Sequence, residues 1–326
     1  MVLIGTHDGA FHADDVLAVT MLLKVTQTHD MTPGELIPGL VRSRDPVLLS
    51  KCDYVVDVGG EYDHTTKRYD HHQRSFNKTW SDDTSIPLSS AGLVFLHYGK
   101  VLINGYVADM KHEPLDEEEL DFAFNYIYSS FIKEIDAIDN GVKMCEETPP
   151  YTIMSGFSSR IQRCLPSWKE VWSPETLSIA FSRACTIAEA ELSYHLKTAA
   201  LDVVPARAVV KSACQNRLFD NQVIAFDACT PPWEEWIYEF EGDVPILYVI
   251  YPSGPGGAWR VKCVAKQFGV FGDRKPLPNE WCGKSDLDLV SACGVEGAQF
   301  VHKNGFIGSA SSRKAIEEMV ERALVL

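Results

Sequence analysis

Two short apolar runs, each followed closely by acidic side chains and glycine, constrain this fold most. They are VLIG at residues 2–5, which leads into THDG, and YVVDVGG at residues 54–60. Short β-branched runs that end in glycine are typical of buried parallel strands. Asp57 falls at the carboxyl end of the second run, and ligands bind at that edge of open α/β sheets. We therefore expect an α/β protein with a functional site there.

The sequence changes character near residue 200, which indicates two domains in a chain of 326 residues. A helical stretch at about 175–200 precedes a run at 206–211 that we interpret as a strand. Further strand-like runs, a PPWEEW segment and a final helix follow it. We predict a larger domain at 1–200 with a mainly parallel sheet, and a smaller mixed α/β domain at 206–326.

Apolar residues at steps of three and four after Asp116 predict a long amphipathic helix. Its acidic N-terminus suits the helix dipole, and Asn140-Gly141 is a typical end.

Composition excludes several classes of protein. The net charge of −15 argues against nucleic-acid binding through a broad basic face. Nine cysteines without a CxxC spacing indicate reduced thiols and no zinc finger. No apolar run is long enough to span a bilayer, so we expect a soluble protein without membrane partners. The N-terminus runs straight into the first predicted strand, so we expect no targeting peptide there.

The densest group of candidate ligands is HDGAFHADD, between the first strand and an apolar helix. It contains His7, Asp8, His12, Asp14 and Asp15. Imidazole and carboxylate together suit Mn²⁺, Mg²⁺ or Zn²⁺. The alternative is that Asp14 or Asp15 caps the helix and the histidines are surface residues.

Two further groups carry the same chemistry. RYDHHQ places His71 and His72 after Asp70, where one histidine can bind metal and its neighbour can reach the substrate. KEIDAIDNG places Asp136 and Asp139 three residues apart at the end of the long helix, where they can complete a two-metal site. The alternatives are a polar loop and a solvated acidic helix end.

Weaker candidates for substrate contact lie elsewhere. Ser90 begins an apolar helix in SSAGLVF, whose free amides could receive a phosphate, although ordinary N-capping explains it nearly as well. In the second domain, glycines accompany cationic side chains that could fix an anion or simply occupy hairpin turns. These candidates are Arg260, His302, Lys303 and Gly305. Trp233, Trp236 and Trp281 could stack bases or pack in a core.

Taken in order, the N-terminal groups resemble the DHH phosphoesterase superfamily, which includes RecJ-type exonucleases and family II pyrophosphatases. The resemblance narrows to the melanocyte proliferating gene 1 protein family. It rests on HDGAFHADD, YVVDVGGEYD, RYDHHQ, SSAGLV, EIDAIDNGV and FVHKNGFIGS, and it spans nearly the whole chain.

The resemblance implies a DHH-type phosphoesterase domain followed by a substrate-binding domain. It further implies a 3′ to 5′ exonuclease that hydrolyses RNA with two Mn²⁺ or Mg²⁺ ions, in nucleus and mitochondrion. By motif, His7, His12 and Asp14 would be metal ligands. Asp57 would bridge the metals, and His71 and Asp136 would each bind one. His72 would contact phosphate, and Arg260 and His302 would hold the terminal nucleotide.

Two other functions remain open. A DHH-type phosphatase of pyrophosphate or another small molecule fits the negative net charge. A non-enzymatic binding protein is disfavoured because every acidic and imidazole position that the chemistry needs is present. A short oligonucleotide is an alternative substrate to single-stranded RNA, and a cytoplasmic location also remains open. We expect the tryptophans around PPWEEW to be exposed, which favours a homodimer.

Overall fold

A computed structural model describes residues 1–27, 34–254 and 257–326. The chain divides into two compact units, Met1–Leu201 and Asp202–Leu326. The α/β fold predicted from the sequence is confirmed.

The first unit contains a five-stranded sheet whose strands are all short. They are β1 (Ile4–Thr6), β2 (Leu40–Arg42), β3 (Tyr54–Val56), β4 (Tyr62–Asp63) and β5 (Arg68–Tyr69). The spatial order is β2-β1-β3-β5-β4, parallel except where β4 pairs with β5. Ile4 pairs with Leu40 on one side and with Tyr54 on the other. The carboxyl ends of β2, β1, β3 and β5 therefore share one edge.

The described residues of this unit form seven α-helices. They are α1 (Ala13–Thr26), α2 (Pro46–Leu49), α3 (Ser90–Asp109), α4 (Glu117–Ile127), α5 (Lys133–Asp139), α6 (Phe157–Gln162) and α7 (Pro174–Lys197). Helix α1 is mostly apolar, is buried on all sides from Ala13 to Leu23, and packs against both α3 and α7. A helix of that composition is stable only when it is surrounded. Its first turn is thereby held against the sheet edge.

The long amphipathic helix predicted after Asp116 is interrupted. Between α4 and α5 the backbone forms a π-helical turn, Tyr128–Ile132. The ring of Tyr128 stacks on Trp80 with a centroid separation of 3.9 Å. The helix ends as predicted, with Asn140 at its C-cap and Gly141 at a φ of +66°.

The second unit is a mixed sheet with helices. Its elements are α8 (Val204–Gln215), β6 (Val223–Ala225), α9 (Ile237–Phe240), β7 (Tyr248–Pro252), β8 (Trp259–Cys263), α10 (Asp286–Cys293), β9 (Ala298–Val301), β10 (Ile307–Ala310) and α11 (Arg313–Val325). The order is β6-β7-β8-β10-β9, and only β6 and β7 are parallel. The core between sheet and helices includes Tyr248, Val261 and Ile316.

The strand predicted at 206–211 is wrong, because those residues lie inside α8. Two adjacent valines suggested a strand, but only one side of the segment is buried, including Ala206, Val210 and Cys214. That spacing of four is helical. A π-helical segment, Thr198–Val203, joins α7 to α8. Among the helices described, none combines the length and apolarity that crossing a membrane would take.

Candidate metal centre

Residues that follow the carboxyl ends of three strands form this centre. His7 follows β1, Asp57 follows β3 and His71 lies two residues beyond β5. His7 Nε2 lies 3.3 Å from Asp57 Oδ2, and His71 Nε2 lies 3.4 Å from Asp57 Oδ1. Asp57 has a φ of +57°, a left-handed conformation that aspartate and asparagine adopt more readily than most residues. The parallel topology thus places one carboxylate between two imidazoles.

The first turn of α1 adds two buried carboxylates. Asp15 Oδ1 accepts a hydrogen bond from the backbone N–H of His12, and Asp15 Oδ2 lies 3.2 Å from His7 Nε2. Asp14 is fully buried, and its Oδ2 lies 3.9 Å from His71 Nε2. Neither residue acts only as a solvated helix cap, since both side chains face histidines of the centre.

The end of α5 contributes Asp139, not Asp136. Asp139 Oδ2 lies 3.1 Å from His71 Nε2. Asp136 Oδ1 instead accepts hydrogen bonds from the Ser89 N–H at 2.9 Å and the Ser89 hydroxyl at 2.7 Å. Two residues three apart lie on neighbouring parts of a helix surface, and here only the later one reaches the histidines. Asp136 was predicted as a ligand, and that stays a prediction: Ser89 occupies its Oδ1, and its Oδ2 is buried without a hydrogen-bond partner.

Four sets of three side chains bring their ligand atoms within 4.8 Å of one another among the described residues. The sets are His7-His12-Asp57, Asp57-His71-His72, His12-Asp14-Asp139 and Asp14-Asp15-Asp57. They include five predicted ligands, namely His7, His12, Asp14, Asp57 and His71, but not Asp136. Asp57, His12 and Asp14 each belong to more than one set, so adjoining cation positions could share them.

Unpaired buried oxygens test whether a cation fits here. Both carboxylate oxygens of Asp14 are buried without a hydrogen-bond partner, and so is Oδ2 of Asp15, whose nearest cationic group is the His7 imidazole at 3.2 Å. A buried carboxylate without a partner costs several kcal/mol, roughly. Carboxylates with imidazoles suit a divalent cation such as Mn²⁺, Mg²⁺ or Zn²⁺. The donor set therefore fits a divalent metal.

The acidic surroundings dominate the titration of the histidines. Burial opposes the charged form of His7, but Asp15 and Asp57 outweigh it and raise its pKa to about 10. His71 behaves alike, since Asp139 and Asp57 overcome burial and raise its pKa to about 10. Burial, followed by the neighbouring carboxylates, raises the pKa of Asp14. The carboxylates therefore stabilise positive charge in this centre, and a divalent cation would supply such charge.

His72 lies at the mouth of the centre. Its side chain is 63% exposed, and its Nδ1 lies 2.7 Å from Asp70 Oδ1. The other Asp70 oxygen accepts a hydrogen bond from the Gly60 N–H. A cavity of about 370 Å³ opens beside His72, and its wall includes His7, His12, Asp57, Gly59 and Arg44. The predicted contact between His72 and phosphate stays a prediction.

Arg44 is a wall residue that the sequence did not reveal. It lies two residues beyond β2, which neighbours β1 in the sheet, and its Nε is 3.2 Å from Asp8 Oδ1. The parallel order of β2 and β1 was the missing information, because an arginine after an unrecognised strand has no distinctive motif. Arg42 has a different role, since it donates to the Gly9 carbonyl and its guanidinium lies over Phe181.

Ser90 does not fit the predicted substrate contact. It is fully buried, and its hydroxyl donates to Asp57 Oδ1 at 3.1 Å. Ser89 is the N-cap of α3 and also binds Asp136. The two serines therefore fix carboxylates at the start of α3, a role that the SSAG motif only partly indicated.

The second unit holds the other predicted substrate residues. Arg260 is exposed on β8 and lines an open cavity of about 920 Å³. His302, Lys303 and Gly305 form the turn between β9 and β10, where the Gly305 N–H donates to the His302 carbonyl. Gly305 has a φ of +72°. The turn explains the glycine without a ligand. Residues 255 and 256, which precede Arg260, lie outside the described residues.

Three tryptophans considered for base stacking are buried. Trp233, Trp236 and Trp281 are 4%, 3% and 1% exposed. They pack inside the second unit, and the Trp236 indole donates to the Val203 carbonyl. The tryptophans of PPWEEW therefore offer no exposed surface for stacking, nor one that would suggest a homodimer.

Fold and site together define an α/β protein with a candidate divalent-metal centre at the carboxyl edge of a parallel sheet. Residues 3–324 match the model of the MYG1 exonuclease family, described as an uncharacterised protein family (UPF0160). The chain belongs to this family. It is 35% identical to the MYG1 exonuclease of Mus musculus, covering 98% of this chain and 84% of that protein.

Other relatives agree. The Homo sapiens MYG1 exonuclease is 35% identical, with 98% of this chain and 85% of that protein covered. A MYG1 protein of Schizosaccharomyces pombe is 34% identical, with coverages of 99% and 98%. The structure of RecJ with Mg²⁺ from Thermus thermophilus is 12% identical, with 99% of this chain and 49% of that chain covered and a TM-score of 0.28. A structural similarity this weak supports no conclusion about this protein.

Proposed function

We propose that this protein is a divalent-metal-dependent phosphodiesterase that removes nucleotides from the 3′ end of single-stranded RNA. The observation that carries the proposal is the set of buried carboxylate oxygens on Asp14 and Asp15 that accept no hydrogen bond, beside Asp57 and two imidazoles. The names of the mammalian relatives support exonuclease activity. Two Mn²⁺ or Mg²⁺ ions would be held by His7, His12, Asp14, Asp57, His71 and Asp139.

Bound divalent cations lower the pKa of water to give a nucleophile at neutral pH and offset negative charge on the phosphate. The protein's own residues supply position. Ser90 holds Asp57 between His7 and His71, so the central carboxylate cannot rotate freely. Asp70 holds one ring nitrogen of His72, which leaves the other for a phosphate oxygen.

Arg44 gives the acidic centre a cationic wall. Its guanidinium lines the same cavity as His72 and Asp57. Arginine is suited to phosphate because its planar group can donate two parallel hydrogen bonds. We assign Arg44 to the non-bridging oxygens of the phosphate that is cleaved. This contact would attract an anion to a chain whose net charge is −15.

One assay tests both the class of substrate and the direction in which a strand is degraded. Single-stranded RNA labelled at its 5′ end is incubated with the protein and Mn²⁺, Mg²⁺ or EDTA, alongside a DNA of the same sequence and pyrophosphate. The proposal expects a metal-dependent ladder of products that shorten from the 3′ end. Cleavage of pyrophosphate with intact RNA would instead establish the second candidate, a small-molecule phosphatase, which the negative net charge favours.

Cellular location forms part of the same proposal. An RNA exonuclease of this family would act in the nucleus and the mitochondrion. Imaging of the tagged chain beside markers of both compartments tests this, and confinement to the cytoplasm would contradict it.

A further inference from the structure

Two tryptophans of the first unit are displayed to solvent. Trp168 is 85% exposed and Trp172 is 48% exposed, as is Val171 at 72%. Large apolar side chains in such a group usually mark an interaction surface. The group lies in the segment between α6 and α7, and we call residues 167–172 the Trp168 turn.

Hydrogen bonds hold the Trp168 turn in shape. The Ser167 N–H donates to the Glu170 carboxylate at 2.6 Å, and the Glu170 N–H donates back to the Ser167 carbonyl at 3.0 Å. The Trp172 indole also donates to the Ser167 carbonyl, at 3.0 Å. The Trp168 ring is thus presented by an ordered backbone, which reduces the entropy lost when a ligand stacks on it.

The Trp168 turn is connected to the metal centre through α6. Ser158 and Gln162 of α6 line a cavity of about 240 Å³ together with His12 and Asp139. The Ser158 hydroxyl is buried there without a hydrogen-bond partner. Trp168 lies six positions after Gln162, so their Cα atoms are at most about 22 Å apart. A strand only a few nucleotides long could span that distance.

Local chemistry favours a single-stranded nucleic acid as the occupant. Lys169 Nζ lies 5.2 Å from the Trp168 ring centroid, so a stacking face and a cation are offered side by side. Arg163 lies at the end of α6, four residues before Ser167. Aromatic faces beside a few cations bind single strands by stacking, which does not require the broad basic surface that this chain lacks.

We propose that the Trp168 turn stacks a base of a single-stranded nucleic acid whose end lies at the metal centre. This inference rests on the proposed function, because it specifies a polymeric substrate for the same site. It requires that nucleotides beyond the cleaved one contribute to the affinity of the strand, and that one of them contacts Trp168.

Binding without turnover tests the proposal. Fluorescence anisotropy of labelled ten-nucleotide single strands is measured with the full chain in EDTA, so hydrolysis does not interfere. Trp168→Ala should weaken binding between about fivefold and a hundredfold, as expected for the loss of one stacked base. Trp168→Phe keeps a ring and should stay within about threefold of the unchanged protein.

Phe271→Ala is the matched control. Phe271 is a fully exposed aromatic residue in the second unit, so its removal should leave oligonucleotide affinity unchanged. Equal affinity of Trp168→Ala and the unchanged protein would overturn the proposal, as would no oligonucleotide binding at all. It would also be overturned if Trp168→Ala only converted a dimer to a monomer in light scattering.

The two proposals fail separately. If the protein binds oligonucleotides through Trp168 but hydrolyses none with any metal, the proposed function fails and this inference stands. If it hydrolyses a dinucleotide and longer strands alike, and Trp168→Ala changes neither KM, the inference fails and the proposed function stands.

Discussion

His71 Nε2 lies 3.1 Å from the carboxylate of Asp139, while Asp136, three residues earlier, is bound by Ser89. One helix end therefore carries a candidate ligand and a structural carboxylate. Burial raises the pKa of Asp136 to about 7, even though the hydrogen bonds from Ser89 oppose that shift. The two aspartates should respond differently to the same substitution.

We expect Asp139→Ala to lower Mn²⁺ affinity by more than about tenfold, since support residues alone contribute at that level. Asp136→Ala should leave Mn²⁺ affinity within about threefold. It should lower the free energy of unfolding by about 1–3 kcal/mol, because two buried Ser89 donors lose their acceptor. Titration calorimetry and urea unfolding measure the two effects. Loss of Mn²⁺ binding in Asp136→Ala, with normal binding in Asp139→Ala, would reverse the assignment.

Substitutions around Asp57 should form a graded series. Asp57→Asn preserves the left-handed backbone and should reduce kcat by at least about a hundredfold, beyond the range typical for residues that only support a ligand. Ser90→Ala removes the hydrogen bond to Asp57 and should lower kcat about 10- to 100-fold. Asp63→Asn, whose carboxylate binds Thr65 in its own turn, should have no effect. Full activity in Asp57→Asn at unchanged metal content would refute the central role.

Arg44→Gln should act on substrate binding. Hydrogen bonds to charged groups contribute about 1.5–3 kcal/mol, so kcat/KM should fall about tenfold or more, mainly through KM. Arg44→Lys should recover part of the lost kcat/KM, because a lysine keeps the charge but not the planar donor pair. Mn²⁺ affinity should be unchanged in both. Arg207→Gln in the second unit is the control of equal charge change, and an equal loss there would point to a general charge effect.

The sequence indicated the fold class and most of the centre because strand ends carry their own signals. Asp57 follows a β-branched run and His71 belongs to a doubled histidine, so each was recognisable without coordinates. Choosing between Asp136 and Asp139 was different, because both lie at the end of one helix and only the packing of α3 against α5 separates them.

Other features required the three-dimensional arrangement for similar reasons. The position of Arg44 at the centre follows only from the pairing of β1 with β2. That pairing depends on contacts between residues 36 positions apart, such as Ile4 and Leu40. Val209 and Val210 suggested a strand, but tertiary packing of one face selected a helix for that segment. Exposure also separated Trp168 from the buried tryptophans, and no local pattern predicts that difference.

Acid should destabilise the first unit through His97. Burial, followed by the nearby His64 and Lys78, lowers the pKa of His97 from 6.5 to about 4. Below pH 6.5 the unfolded chain binds a proton that the folded protein does not, so stability should fall as the pH drops toward 4. His97→Gln keeps a partner for the Tyr62 hydroxyl and should lose less stability between pH 7 and pH 5 in urea unfolding. Parallel losses in both proteins would assign the acid sensitivity elsewhere.

Two glycines of α3 should respond oppositely to alanine. Alanine normally stabilises a helix interior by about 1 kcal/mol relative to glycine. At Gly92, however, a Cβ would lie 2.4 Å from Asp136 Oδ1, and that carboxylate is held by Ser89. Gly92→Ala must therefore displace Asp136 and should lower the free energy of unfolding by about 1–3 kcal/mol. Gly105 has open space around its Cβ position, so Gly105→Ala should raise it by about 0.5–1 kcal/mol. Urea denaturation of both variants compares them directly, and stabilisation by Gly92→Ala would show that Asp136 is free to move.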